Sequence, residues 1–152
     1  MLLRTAALLG LVLALAACGS SKKASPKSQL PPGCTVPEVQ QVVNDFLVRP
    51  SFAPAGTFEV YATYESDGRK FVARTPGAAL AHARARLRLG EHSRLIELRV
   101  GKQDFNHARI TFQLTRLAPD FIARKIHARL VKGGGTVDCA HQKIAAWVTK
   151  GP

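Results

Sequence analysis

From Ile96 onward the chain alternates apolar and polar residues in one segment after another, and that pattern leaves few folds open. Ile96, Leu98 and Val100 fall on one side of the first segment, with Glu97 and Arg99 on the other. Ala108, Ile110, Phe112 and Leu114 oppose His107, Arg109, Thr111 and Gln113, and Ile126, Ala128 and Leu130 oppose Lys125, His127 and Arg129. Residues 136–139 and 144–149 read as a closing hairpin across 140–142. A period of two is that of a half-buried strand. One-sided strands in succession form an antiparallel sheet covered on a single face. Gly133, Gly134 and Gly135 read as a flexible turn joining two of these strands, because the helix and the Lys-Ser/Thr pair of a phosphate loop are missing.

Helix signals lie ahead of that run. Thr35-Val36-Pro37-Glu38 has the form of a capping box, and Pro37 is tolerated in a first turn whose N–H groups lack intrahelical partners. Val39, Val42, Val43, Phe46 and Leu47 follow at helical spacing until Pro50 and Pro54. Phe58, Val60, Ala62 and Tyr64 alternate with Glu59, Tyr61, Thr63 and Glu65. Ser66-Asp67-Gly68 then turns the chain into a return strand over 69–74. Thr75-Pro76 opens a second helix with Leu80, Ala83 and Leu87 on one face and Arg84, Arg86 and Arg88 mostly outside it. Two early helices and a late strand meander make an α+β domain, with the helices packed on a mostly antiparallel sheet.

The residues before this domain are an export signal and a tether. A basic start at Arg4 precedes an uncharged run over 5–17, shorter than the about 20 residues that a spanning helix needs. Leu15-Ala16-Ala17-Cys18 resembles the lipobox of bacterial lipoproteins. The resemblance implies cleavage before Cys18, a diacylglyceryl group on its sulfur, and a location outside the cytoplasm on the cell membrane. Residues 1–17 are then the signal peptide, 18–33 a lipidated, Ser-, Lys- and Pro-rich tether, and 34–150 the folded domain. A flexible tether of this length averages roughly 20 Å end to end. Lys22, Lys23 and Lys27 fit either contact with anionic lipid or simple solubility.

Cys34 and Cys139 remain once Cys18 carries lipid, and an exported chain with two leftover cysteines most simply pairs them. They stand 105 positions apart. No CxxC or HxxxH spacing occurs and the five histidines are scattered, so neither a metal nor a cofactor is expected.

The element order resembles the nuclear transport factor 2-like fold, which includes the polyketide cyclase (SnoaL)-like and ketosteroid isomerase-like families. More narrowly it resembles small exported lipoproteins of that fold from high-GC Gram-positive bacteria. The residues that carry the resemblance are Cys34-Thr35-Val36-Pro37-Glu38-Val39, the stretch Gly68-Arg69-Lys70-Phe71-Val72-Ala73-Arg74-Thr75, Gly135-Thr136-Val137-Asp138-Cys139 and Ile144-Ala145-Ala146-Trp147. It implies a curved sheet wrapped by helices into a cone whose interior binds or transforms a ligand. The segment after the first helix, residues 49–56, is shorter than that family's, which removes one expected wall of the cone.

Three functions follow as alternatives. Net charge is +12 for the chain and +11 once Arg4 leaves with the signal, which favours anionic partners: lipid headgroups, wall polymers or a small amphiphile. The favoured reading is a noncatalytic binding module that uses Arg99, Arg109 and Arg129 on a shared basic face beside an apolar cavity. A structural scaffold of the envelope is the first alternative, and a side-chain-filled interior would favour it. An isomerase- or SnoaL-like enzyme is the second. It would need a carboxylate and a hydrogen-bond donor in a pocket, for which Glu59, Asp104, Tyr61, Tyr64 and His107 are the available types, though none sits in a matching motif and no catalytic residue is assigned. Nucleic acid is not an expected partner, because no aromatics interleave with the basic residues.

Overall fold

The computed structural model describes residues 29–58, 62–66 and 69–150. Helix α1 (Val36–Val48) comes first, then strands β1 (Ala62–Ser66) and β2 (Arg69–Val72), and helix α2 (Pro76–Arg88). Strands β3 (His92–Lys102) and β4 (His107–Leu117) lead to a short helix α3 (Pro119–Ala123), and β5 (Arg129–Asp138) and β6 (Lys143–Lys150) complete the sheet. The strands run in the order β2-β1-β6-β5-β4-β3, antiparallel at every pairing except β1 with β6. This is an α+β fold with helices on one face of a mostly antiparallel sheet, the arrangement that the alternation and the caps predict.

Both helix starts are as expected. The Glu38 carboxylate accepts from the Thr35 N–H at 2.9 Å and its hydroxyl at 2.7 Å, and the Thr75 hydroxyl accepts from the Ala78 N–H at 3.2 Å. These contacts satisfy groups that a helix end otherwise leaves open. The apolar stripe of α1 buries Val39, Val42, Val43 and Phe46. Residues 49–56 replace the expected wall with aromatic packing. Phe52 forms a bridge to Ile144, and its ring lies 5.1 Å from Phe46 and 5.4 Å from Phe58. Of the strand expected to begin at Phe58, residues 62–66 form β1, Phe58 lies in the core, and residues 59–61 lie outside the described set.

Three expectations fail along the meander. The triple glycine is not a turn: it lies inside β5, with Gly133 opposite Phe112 and Gly135 opposite Trp147. A Cβ at Gly133 would sit 2.4 Å from the Phe112 ring, and one at Gly135 would sit 2.0 Å from the Ala146 carbonyl oxygen. The bare backbone lets the Phe112 and Trp147 rings stack at 4.1 Å over the sheet. The alternation over 125–130 is likewise not one strand. Residues 118–126 form α3 and its exit turn, with Lys125 at φ 59° and the Ile126 N–H donating to the Phe121 carbonyl, so β5 starts only at Arg129. Finally, a β-bulge between Leu95 and Glu97 shifts the parity of β3. Leu95, Leu98 and Val100 pack against the core, while Ile96 turns out to 55% exposure.

A disulfide joins Cys34, just before α1, to Cys139 in the β5–β6 turn. The turn is fixed by Asp138, whose Oδ1 accepts from the N–H groups of Ala140 and His141 and whose Oδ2 lies 2.8 Å from the His141 Nδ1. Burial works against ionisation of Asp138, but the His141 ring and N–H and the Thr57 hydroxyl hold its carboxyl below the usual carboxylate range.

Candidate functional site

Cross-strand partners share a face, so the register decides which side chains stand together. On the inner face, under α1 and α2, lie Leu114, Phe112, Ile110 and Ala108 of β4, with Val131 and Val137 of β5 and Ile144 and Trp147 of β6. The opposite face carries Arg94, Glu97 and Arg99 of β3. Beside them stand Arg109, Thr111 and Gln113 of β4, and Lys132 and Gly134 of β5. Among the described residues no helix packs on this outer face, and Arg94, Arg99, Arg109 and Lys132 are all exposed.

Arg99 and Arg109 therefore stand where the sequence predicts, on one basic face. Arg129 does not. It pairs with Arg116 on the inner side, and its guanidinium lies 4.8 Å from the Phe121 ring centre. The cause is the late start of β5, which breaks the parity that 125–130 suggested. Arg94 and Lys132 join the outer face in its place. Lys132 shares the face of Leu130, which the apolar pattern places inside, so period-two spacing carried through the glycines puts it on the wrong side. Arg94 becomes legible only once the bulge is known.

Glu97 stands among these cations on β3, and Asp138, which is buried, lies farther along the same face beyond the partner of Arg109. The Glu97 Oε1 accepts from the Arg99 Nε at 2.7 Å and its Oε2 from the Gln113 Nε2 at 3.2 Å. Glu97, Arg99, Thr111, Gln113 and Lys132 line a shallow dish of about 260 Å³ on the outer face. Gly134 and Thr111 lie between the cationic positions in the register. Such a surface can take several anionic groups at once without a deep cleft, through charge-assisted hydrogen bonds and screened attraction.

The inner side holds a different charged cluster, which the sequence did not reveal. Arg86 of α2 was expected outside the helix, yet it turns inward and places its Nε 2.6 Å from the Glu91 Oε2. The Arg116 Nε donates to the Glu91 Oε1 at 2.8 Å and its Nη2 to Oε2 at 2.9 Å, a bidentate pair in which both residues are 5% exposed. Nearby His82 stacks on Phe71 with ring centres 3.7 Å apart. Burial, then the Arg86 charge, hold its imidazole below its ordinary value. This cluster borders a cavity lined by Phe46, Leu114 and Trp147. The cavity measures about 40 Å³, space for about three waters. The rings of Phe46, Phe112 and Trp147 fill the rest of the expected cone.

Of the candidate catalytic groups, the described side chains of Asp104 and His107 lie away from that cavity. Asp104 and His107 pair at 2.9 Å in the β3–β4 turn, where Asp104 also accepts the N–H groups of Asn106 and His107. Glu59 and Tyr61 lie outside the described residues, as does the Tyr64 side chain. No group of metal-ligating side chains occurs among the described residues. Cys18 also lies outside them.

No family model and no curated protein matches the chain. Among solved structures, one similar chain comes from Xanthomonas campestris pv. campestris and is described as a "putative polyketide cyclase". It is 9% identical, with a TM-score of 0.44, over 74% of this chain and 89% of that one.

Proposed function

We propose that this is a lipid-anchored protein of the extracytoplasmic membrane surface whose domain binds an anionic partner without transforming it. The observation that supports the reading best is the outer face of the sheet: Arg94, Arg99, Arg109 and Lys132 stand on it, all exposed, with Glu97 between them. The +11 charge of the mature chain reinforces that local field. Anchoring through Cys18 supplies two acyl chains, which is what stable attachment takes. No helix among the described residues is long and apolar enough to cross a membrane.

A scaffold function is the second reading, and the nearly filled interior favours it: 40 Å³ admits no amphiphile of any size. The two readings separate on binding. The chain from Gly19 onward is expected to bind vesicles containing phosphatidylglycerol and to leave them as salt rises, since exposed charges are screened beyond about 10 Å at 0.1 M salt. Indifference to lipid charge in a co-sedimentation assay would leave the scaffold. Separately, Cys18→Ala is expected to release the protein from membranes or leave it unprocessed. Fractionation that finds the variant processed and still membrane-bound would refute the anchor.

A further inference from the structure

At the end of the sheet where the tether joins the domain stands the most exposed large apolar side chain among the described residues. Phe105 is 76% exposed at the tip of the β3–β4 turn. The turn is internally braced. The Asp104 Oδ1 accepts from the N–H groups of Asn106 and His107, both at 2.8 Å, and the N–H groups of Gln103 and Asp104 donate to the His107 carbonyl. A turn tied in this way holds the ring out from the sheet instead of letting it fold down. The Asn106 carbonyl also accepts from the Cys139 N–H at 2.9 Å, and Cys139 is bonded to Cys34. The Gln142 side chain bridges to the Gly33 carbonyl beside that bond. The aromatic tip, the disulfide and the root of the tether are therefore neighbours.

Three cations stand at this end. Lys102 precedes the turn, Arg109 follows it opposite Gly101, and Lys143 stands opposite Asp138. All three are exposed. Against them stand three carboxylates: Asp138 is buried, while Asp104 and Glu38 are exposed and held ionised, Asp104 by the N–H groups of its own turn and Glu38 by Thr35. An exposed aromatic ring flanked by Lys and Arg is the pairing that seats a protein at a bilayer interface, the ring among the acyl chains and the cations among anionic headgroups.

We infer that the β3–β4 tip inserts Phe105 into the interfacial region of an anionic bilayer, with Lys102, Arg109 and Lys143 on the headgroups. The domain then docks on the membrane that anchors it instead of hanging free on its tether. This inference deepens the proposed function and rests on it, naming the bilayer itself as the anionic partner. The lipidated protein carrying Phe105→Trp, reconstituted into vesicles whose acyl chains bear bromine, separates the two claims. Co-sedimentation reports the anchor, and quenching of the new indole reports the tip; Trp147 is 1% exposed and stays bright as the internal reference.

The expected result is blue-shifted, quenched emission in vesicles of mixed phosphatidylglycerol and phosphatidylcholine, lost in phosphatidylcholine alone and at high salt. Protein that sediments with unquenched, unshifted emission overturns the tip and leaves the anchor standing. Equal quenching in neutral vesicles keeps the insertion and overturns the anionic partner. Protein that does not sediment at all overturns both, because neither lipid nor tip then holds it.

Discussion

Replacing Cys34 and Cys139 together by serine will lower the free energy of unfolding by about 4–5 kcal/mol, the loop-closure value for a crosslink of about 100 residues. The bond ties the residue before α1 to the β5–β6 turn, across a separation of 105 positions. Nearly the whole described domain lies inside that loop, so the reduced chain regains almost all the freedom that the crosslink removes. Domains of this size are stable by only about 5–15 kcal/mol, and the loss takes a large share of that. Urea unfolding of the oxidised protein, the reduced protein and the double variant reads the effect. Coincident midpoints for all three would show that the bond contributes nothing.

The second large effect belongs to Glu91. Its carboxylate is shared by Arg86 and Arg116, and Glu91→Gln leaves two guanidiniums in a buried setting without it. Removing one partner of a buried ion pair costs about 3–5 kcal/mol. The attraction itself is not the main source of that cost. Desolvation of the remaining charge is, so removing a charge along with the carboxylate should return part of the loss. Glu91→Gln combined with Arg116→Met is therefore expected to be more stable than Glu91→Gln alone, in a double-mutant cycle followed by thermal unfolding. Additive losses would mean that the cluster is well hydrated and that its burial is not what matters.

The sequence made the caps, the α+β order and the inner stripe of β4 legible because each is a local rule with a local cause. Thr35 with Glu38, Thr75 with Pro76, and the run from Ala108 to Leu114 need no tertiary information. What escaped depends on partners distant in sequence. A bulge at Leu95 and Glu97 exists because of how β3 lies on β4, and it turns Ile96 outward and Arg94 onto the basic face. The glycines of β5 look like a turn until Phe112 and Trp147 are seen lying where their side chains would be. Helical spacing puts Arg86 outside, because it does not register the Glu91 carboxylate that stands just before β3. Arg129 was assigned to the wrong face because period-two spacing continues through the exit turn of α3 as if it were strand.

That last error supplies an internal control. Arg99 and Arg109 stand on the outer face and Arg129 on the inner one, at the Phe121 ring, so the proposed binding depends on the first two and not on the third. Each cation near an anionic surface contributes about 1 kcal/mol. Arg99→Gln with Arg109→Gln should therefore weaken binding to phosphatidylglycerol vesicles by about tenfold or more at low salt. Arg129→Gln should lose only the modest stability of its aromatic contact, about 0.5–2 kcal/mol, and bind as the parent does. The decisive measurement is the binding isotherm of the chain from Gly19 onward, parent and both variants, at low and high salt. Weakening confined to the outer-face pair, and erased by salt, is the predicted result. Equal affinity for parent and outer-face variant, or a loss shared by Arg129→Gln, would contradict the basic face as the binding site.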